Sequence, residues 1–302
     1  MQRARIAVVG FGNVSRAAVA AVEESPDMEV AGIVLRTPEK VPGVQKEMGD
    51  IPVVTDVKEL GKVDVAILGV PSRAVPQVAP GYLKMGINTV DSFDIHGEAV
   101  MELRKDLDKI AKAHNCVAVI SAGWDPGTDS VIRAVMEMIA PKGITYTNFG
   151  PGMSMGHTVA VKAVEGVEDA LSVTIPEGTG LHKRLVYVKI KEGYDFEKVA
   201  AAIKLDPYFA HDEPHIYKVD NVESLIDVGH GVHMERKGVS GKTHNQRMEF
   251  IMSVTNPAAT AQVMVSAARA SLKQQPGCYT LLEIPPIDFV YGCREKLLLR
   301  LV

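Results

Sequence analysis

The chain has 302 residues, 46% of them hydrophobic, which suits one large or two ordinary domains with a sizeable core. A formal net charge of −4 supplies no basic field for nucleic acid, and no stretch approaches the roughly 20 apolar residues that span a bilayer. The N-terminus enters a strand pattern at once, without a charged segment followed by an apolar one, so no signal peptide is expected and the cytoplasm is the expected compartment.

Residues 6–9, Ile-Ala-Val-Val, form a short run suited to a strand covered on both faces, and they open directly into a glycine turn and a helix pattern over 13–24. Gly10 permits a tight turn, and Gly12 removes the side chain that would keep a pyrophosphate from the N–H groups of the helix N-terminus. With Phe11, Asn13 and Val14 they make the expected phosphate-binding loop. Ser15 stands where the fingerprint has its third glycine and is small enough for close helix–strand packing; an ordinary strand-to-helix turn is the competing reading.

Further strands are expected at 29–35, 52–55, 63–70, 88–91 and 117–121, with helices at 73–85 and 98–114. This βαβ rhythm predicts a Rossmann-type doubly wound parallel sheet, whose ligand lies beyond the carboxyl ends of the strands. The expected cofactor residues are therefore Gly69, Val70, Pro71, Ser72 and Arg73 after one strand, Ser92 and Phe93 after the next, and Ala122, Gly123, Trp124, Asp125 and Pro126 after the last. After the second strand the chain reads Val34-Leu35-Arg36-Thr37, with no acid for a ribose 2′-hydroxyl. A guanidinium suits a 2′-phosphate, and Thr37 adds a hydroxyl, so the cofactor expected is NADP. The competing reading of Arg36 is a solvated surface arginine.

From Gly123 the pattern changes. A helix at 130–139, a strand at 144–149 and a loop over 150–156 precede longer alternating runs at 170–175, 184–191, 230–237 and 247–254, with a helix near 196–203. The expectation is a second α+β domain over 123–256 with a mixed, mostly antiparallel sheet, following a dinucleotide-binding domain over 1–122. Residues 257–272 are Ala-rich and helical, with Asn256 as a cap, and 257–302 are expected to pack back on the first domain. Cys116, Cys278 and Cys293 are widely spaced and fit free thiols in a reducing compartment.

Four loops, Ser121-Ala-Gly-Trp-Asp-Pro-Gly127, Phe149-Gly-Pro-Gly-Met-Ser-Met-Gly-His157, His182-Lys-Arg184 and Thr243-His-Asn245, together resemble the meso-diaminopimelate dehydrogenase family in order and spacing, from Arg5 to about Asp288. The short connection from Thr174 to His182 resembles one branch of that family, which implies reductive amination of simple 2-oxo acids as well. The resemblance implies reversible NADP-dependent oxidative deamination of the D-centre of meso-2,6-diaminopimelate, giving L-2-amino-6-oxopimelate and ammonia, in lysine and peptidoglycan-precursor synthesis. It also implies a homodimer, with no nucleic-acid or membrane partner. It places Asp94, Trp124 and Asp125 near the D-centre, with the two aspartates as the catalytic pair. Met155, Gly156, Thr174, Arg184, His244 and Asn256 match positions that grip the L-centre, with Phe149 as a wall.

A substrate with two ammonium and two carboxylate groups needs acids for the amines and cationic or amide donors for the carboxylates, and both sets are present. Each residue also has a plainer reading: Asp125 before Pro126-Gly127 as an Asx turn or helix cap, Trp124 as core, and Arg184 as the solvated basic end of a strand. His230, His233 and His244 lack zinc-ligand spacing, so no metal is expected. Leu35 and Ser15 depart from the family pattern and imply weaker NADP affinity or looser discrimination against NAD. Two other classes stay open: an NADP oxidoreductase acting on a sugar or aldehyde, and a non-catalytic NADP sensor.

Overall fold

A computed structural model describes residues 3–209, 212–225 and 229–302. The chain divides into two compact units, Met1–Val131 with Pro257–Val302, and Ile132–Asn256. The pattern change at Gly123 thus precedes the crossing, which falls inside a helix rather than at its start.

The first unit begins as β1 (Ala4–Val9), α1 (Asn13–Glu23), β2 (Met28–Val34), α2 (Val41–Met48), β3 (Val53–Val54), β4 (Val65–Leu68), α3 (Val75–Lys84), β5 (Asn88–Asp91), α4 (Glu98–Ala113) and β6 (Val117–Val119). Helix α5 (Thr128–Ile139) leads into the second unit. There follow β7 (Lys142–Phe149), β8 (Gly152–Met153), α6 (Met155–Lys162), β9 (Val167–Gly178), β10 (Leu181–Ile190), α7 (Phe196–Lys204), β11 (Glu213–Lys218), β12 (Gly229–Ser240) and β13 (His244–Thr255). The chain then returns to the first unit with α8 (Asn256–Ser271), β14 (Gly277–Tyr279) and two short helices, Pro286–Phe289 and Arg294–Leu301.

The seven strands of the first unit run in the order β14-β6-β5-β4-β1-β2-β3, and all pairs are parallel. Strand β1 shows why both faces are covered. Ile6 and Val8 join the core with Ala18 and Val22 of α1 and Met264 and Val265 of α8, whereas Ala7 and Val9 join the core with Ala79 and Leu83 of α3 and Leu107 of α4. Alternate side chains of a strand point to opposite faces, so a strand buried on both sides reads as a continuous apolar run.

The second unit carries two sheets, where the sequence suggested one. Strands β11-β10-β9-β8 form a mixed sheet in which only β10 and β11 are parallel; β13-β12-β7 is wholly antiparallel. The strand over 184–191 is β10, pairing with β9 so that Arg184 faces Thr174. Several elements fall where no strand or helix was expected, β8 and the two C-terminal helices among them. Helix α2 contains Pro42 and Gly43, α6 begins in the glycine-bearing loop and carries β-branched Thr158, Val159 and Val161, β11 is polar with Pro214, and β14 has three residues.

Candidate active site

Several features gather at the carboxyl ends of the first unit's strands. The Gly10 φ of +88° lies in the left-handed region, and a Cβ there would meet the Gly69 carbonyl oxygen at 2.7 Å, so glycine is required twice over. A Cβ at Gly12 would stand in open space, and no side chain caps α1, whose first turn also lacks an acid. Uncapped N–H groups behind a bare glycine are the cradle a pyrophosphate needs. Phe11 is covered by the Arg16 guanidinium, 4.2 Å above its ring. Asn13 is exposed and Val14 half-buried. Ser15 is fully buried and its hydroxyl donates to the Gly69 carbonyl at 3.3 Å; a Cβ at Gly69 would collide with that hydroxyl.

Leu35 and Arg36 separate cleanly. Leu35 is buried in the core beneath α1, while Arg36 and Thr37 are exposed at the strand end. Arg36 makes no ion pair among the described residues. These residues fit a nucleotide carrying a phosphate on its ribose.

Beyond β4, Ser72 holds Asp94: its hydroxyl donates to Oδ1 at 2.5 Å and accepts the Asp94 N–H at 3.1 Å. Beside it, Gly69 and Val70 are half-buried, and Pro71 and Arg73 are exposed. Asp91, at the end of β5, is fully buried and joins the two loops that follow β5 and β6. Its Oδ1 accepts from Phe93 N–H at 2.9 Å and Ser121 N–H at 3.3 Å, and its backbone carbonyl accepts from Ala122 N–H at 2.7 Å. Burial pushes the Asp91 carboxyl up to about 7, against the pull of those two donors.

The loop after β6 closes on itself, with Gly123 N–H donating to the Pro126 carbonyl at 3.0 Å and Gly123 bridging Gly127. Trp124 is buried, at 3% exposure, and its carbonyl accepts from Asp129 N–H and the Thr128 hydroxyl. Asp129, fully buried, accepts from Gly127 N–H at the start of α5. Asp125 stands half-buried on this loop. Between the loops after β5 and β6 lies a cavity of about 140 Å³, lined by Phe93, His96, Ser121, Pro126, Gly127 and Ser130 among others; Ser92 is half-buried nearby in the chain.

In the second unit a polar cluster forms around Arg184. Its Nη1 donates to the hydroxyl of Thr174, which is fully buried, and its Nε donates to Asp212 Oδ2 at 2.7 Å. The same oxygen of Asp212 accepts from His157 Nε2 at 3.2 Å, and His157 Nδ1 lies 2.8 Å from the Ser154 hydroxyl oxygen. Burial alone would raise the Asp212 carboxyl, but the His157 bond and the Arg184 charge hold it at about 2, so it is an anion. Burial pushes His230 down to about 4, and the Arg184 cation adds to that, so its ring is neutral at neutral pH. Burial and Arg184 lower His182 as well; its Nε2 accepts the Phe149 N–H at 2.7 Å, with the two rings 5.5 Å apart.

The predicted residues of this cluster divide. Thr174 and Arg184 face each other across β9 and β10, Phe149 ends β7, and Met155 and Gly156 open α6 directly after Ser154. Asn256 follows Thr255, which pairs with Gly229, and so stands at the end of β12 that carries His230. His244 does not join them. It is exposed and pairs with Ser240, ten residues along β12 from His230, a separation of roughly 33 Å at the rise of a strand. His230, buried and close enough to feel the Arg184 charge, stands instead where the sequence reading expected His244.

His157 and Asp212 were not singled out from sequence, and His230 was weighed there only as a metal ligand. His157 lies in the quoted loop motif, and its spacing of three from Ser154 was the available signal. Asp212 had none: it precedes β11, and only the parallel pairing of β11 with β10 brings it to Arg184. Among the described residues no group of three or more His, Cys, Asp or Glu is placed to hold a metal ion, and no helix is long and apolar enough to cross a membrane.

Comparison with known proteins bears on the family. Residues 123–181 match the family described as the diaminopimelic acid dehydrogenase C-terminal domain, and residues 1–94 match that of the CoA binding domain. The meso-diaminopimelate D-dehydrogenase of Bacteroides fragilis is 58% identical over 98% of both chains. That of Ureibacillus thermosphaericus is 31% identical over 94% of this chain and 95% of its own. Among solved structures, the C. glutamicum DAP dehydrogenase in complex with DAP superposes with a TM-score of 0.86 at 29% identity, covering 100% of both chains. An engineered D-amino acid dehydrogenase bound to NADP+ superposes with a TM-score of 0.88 at 27% identity over 100% of both chains. Identity of this extent, carried across both units, places the protein in the meso-diaminopimelate D-dehydrogenase family.

Proposed function

We propose that the protein catalyses the reversible NADP-dependent oxidative deamination of the D-centre of meso-2,6-diaminopimelate to L-2-amino-6-oxopimelate, ammonia and NADPH, and the reductive amination of 2-oxo acids to D-amino acids. The observation that carries this reading is that Asp91 ties together the two loops bearing Asp94 and Asp125, two acids at the ends of neighbouring strands. NADP, when bound, supplies the acceptor for the hydride. Gly10, Gly12 and the uncapped end of α1 receive its pyrophosphate, and Arg36 with Thr37 receives the 2′-phosphate.

Hydride cannot leave usefully from a carbon bearing a full ammonium, because the iminium product needs the nitrogen lone pair. One proton must go first, and Asp94 with Asp125 takes it or passes it to water. The Ser72 hydroxyl keeps the Asp94 carboxylate aimed by a pair of hydrogen bonds. Arg184, Thr174 and the neutral His230 receive the carboxylate of the L-centre, with Asn256 and Phe149 at the same end of their sheet. Gripping the far end fixes which centre is presented for oxidation.

The protein acts as a homodimer through its second unit. That unit leaves Ile251 of β13 70% exposed, Met138 76% exposed and Ile144 52% exposed, a density of large apolar side chains that a second copy would cover. Cytoplasmic residence fits its three unpaired cysteines.

The decisive assay mixes the protein with NADP and meso-diaminopimelate and follows nicotinamide absorbance. Reduction of NADP with the meso isomer and not with the L,L isomer is expected. Equal rates with the two isomers would overturn the assignment of the D-centre.

A further inference from the structure

Around Arg184 the protein has placed an anion as well as a cation. Asp212 sits 2.7 Å from Arg184 Nε, with 15% of its side chain exposed. The bonds it makes to Arg184 and His157 both engage Oδ2. Asp212 is also among the residues that line an open cavity of about 630 Å³, beside His182, Glu213 and His215. The guanidinium in turn uses Nε and Nη1 in its described bonds.

This arrangement changes the electrostatics of the subsite. A lone arginine suits a lone carboxylate, but an Arg–Asp pair is neutral as a unit and is matched by a ligand that brings both signs. A carboxylate arriving without an ammonium would add a second negative charge beside Asp212 in a poorly solvated corner, where like charges repel strongly. An amino-acid head offers its carboxylate to the guanidinium and its ammonium to Asp212, leaving every charge paired.

We propose that Asp212 accepts the ammonium of the substrate's distal amino-acid head, so that Arg184 and Asp212 together select a zwitterion over a lone carboxylate. Ser154 and His157 position this carboxylate: the His157 ring holds Oδ2, and Ser154, one residue before α6, holds the ring. His157 is further fixed by edge contacts to Tyr208 and Phe209, with centroids 5.5 and 5.1 Å away. The inference rests on the reading that the Arg184 corner binds the distal end of meso-diaminopimelate.

The test compares meso-diaminopimelate with D-2-aminopimelate, which has the same length and the distal carboxylate but no distal amine. The wild-type protein should prefer meso-diaminopimelate in kcat/KM by roughly tenfold to a hundredfold, the worth of one charge-assisted bond and the repulsion it relieves. Asp212→Asn should lose most of that preference, chiefly by weakening meso-diaminopimelate, and should leave the KM for NADP unchanged. A structural role in holding Arg184 would instead weaken both substrates alike, and an unchanged preference in a folded Asp212→Asn protein would overturn the inference. Equal kcat/KM for the two substrates in the wild-type protein would overturn it without any variant. Failure of the wild-type protein to oxidise meso-diaminopimelate at all would instead overturn the functional reading beneath it.

Discussion

Replacing Asp91 with Asn isolates the cost of burying a carboxyl where the two loops meet. The native carboxyl titrates at about 7 in the fold, raised by burial from an ordinary value of 3.8. Because the folded value is the higher one, the folded protein binds the proton more tightly than the unfolded chain. Stability from this group is therefore full below the ordinary value, is lost as pH rises toward 7, and stays lost above it. A shift of about 3 units corresponds to a penalty of about 4 kcal/mol at most, of which roughly 2–3 kcal/mol develops between about pH 5 and about pH 8. Asn keeps an oxygen to accept from Phe93 and Ser121 and sets an amide where Oδ2, buried without a partner among the described residues, now lies. That unpaired amide costs about 1–3 kcal/mol whatever the pH. Calorimetry of both proteins across this range should show the melting temperature of Asp91→Asn, relative to wild type, rising by roughly 5–10 °C from the acid end to the alkaline end. A difference that stays flat with pH would mean that the Asp91 carboxyl does not change its protonation on folding, and the reasoning would fail.

Three further outcomes are expected. Arg36→Ala should raise the KM for NADP by roughly 10- to 100-fold, the scale of one charge-assisted contact, and barely alter that for NAD; an equal effect on both cofactors would place Arg36 away from the 2′-phosphate. Asp125→Asn should preserve folding and NADP affinity while lowering kcat about 100-fold or more, as for other lost acid–base groups; parent-like turnover across pH would remove Asp125 from proton handling. Static light scattering at assay concentrations should report twice the mass of one chain, and Ile251→Glu, at a site 70% exposed on β13, should shift it toward one. A single-chain mass for the wild-type protein at every dilution would exclude the dimer.

The first unit was legible because its strands are covered on both faces. Runs such as Val65–Leu68, buried at every position, stand out against the amphipathic helices between them. The loops proposed to carry the chemistry were picked out by the same logic, since ligands of such sheets gather at strand ends. What escaped was set by packing at a distance. Strand β14 is three residues long and exists because β6 offers it a parallel edge; β11 is polar and half-exposed, with nothing in its own sequence to announce a strand. The same limit applied to the Arg184 cluster. Thr174 and Arg184 were readable through the family resemblance, but His230 reaches the cluster from β12 and Asp212 from the residue before β11, and no spacing along the chain encodes those approaches. Ser15 shows the opposite case, a departure from the fingerprint that the fold absorbs by packing it against a glycine.

The return of the chain to its first unit also sets a timetable for synthesis. Nine residues of α8 are buried, several of them in the same core as Ile6, Val8 and Ile67, and β14 then supplies the edge strand beside β6. None of this has been made when Val131 leaves the ribosome, because the 125 residues of Ile132–Asn256 must be translated first. At about 5–20 residues per second that interval lasts roughly 6–25 s. The inserted unit is complete before the unit that encloses it in sequence, and for those seconds the nascent nucleotide-binding half carries an uncovered apolar face that is open to chaperones and to other unfinished copies of itself.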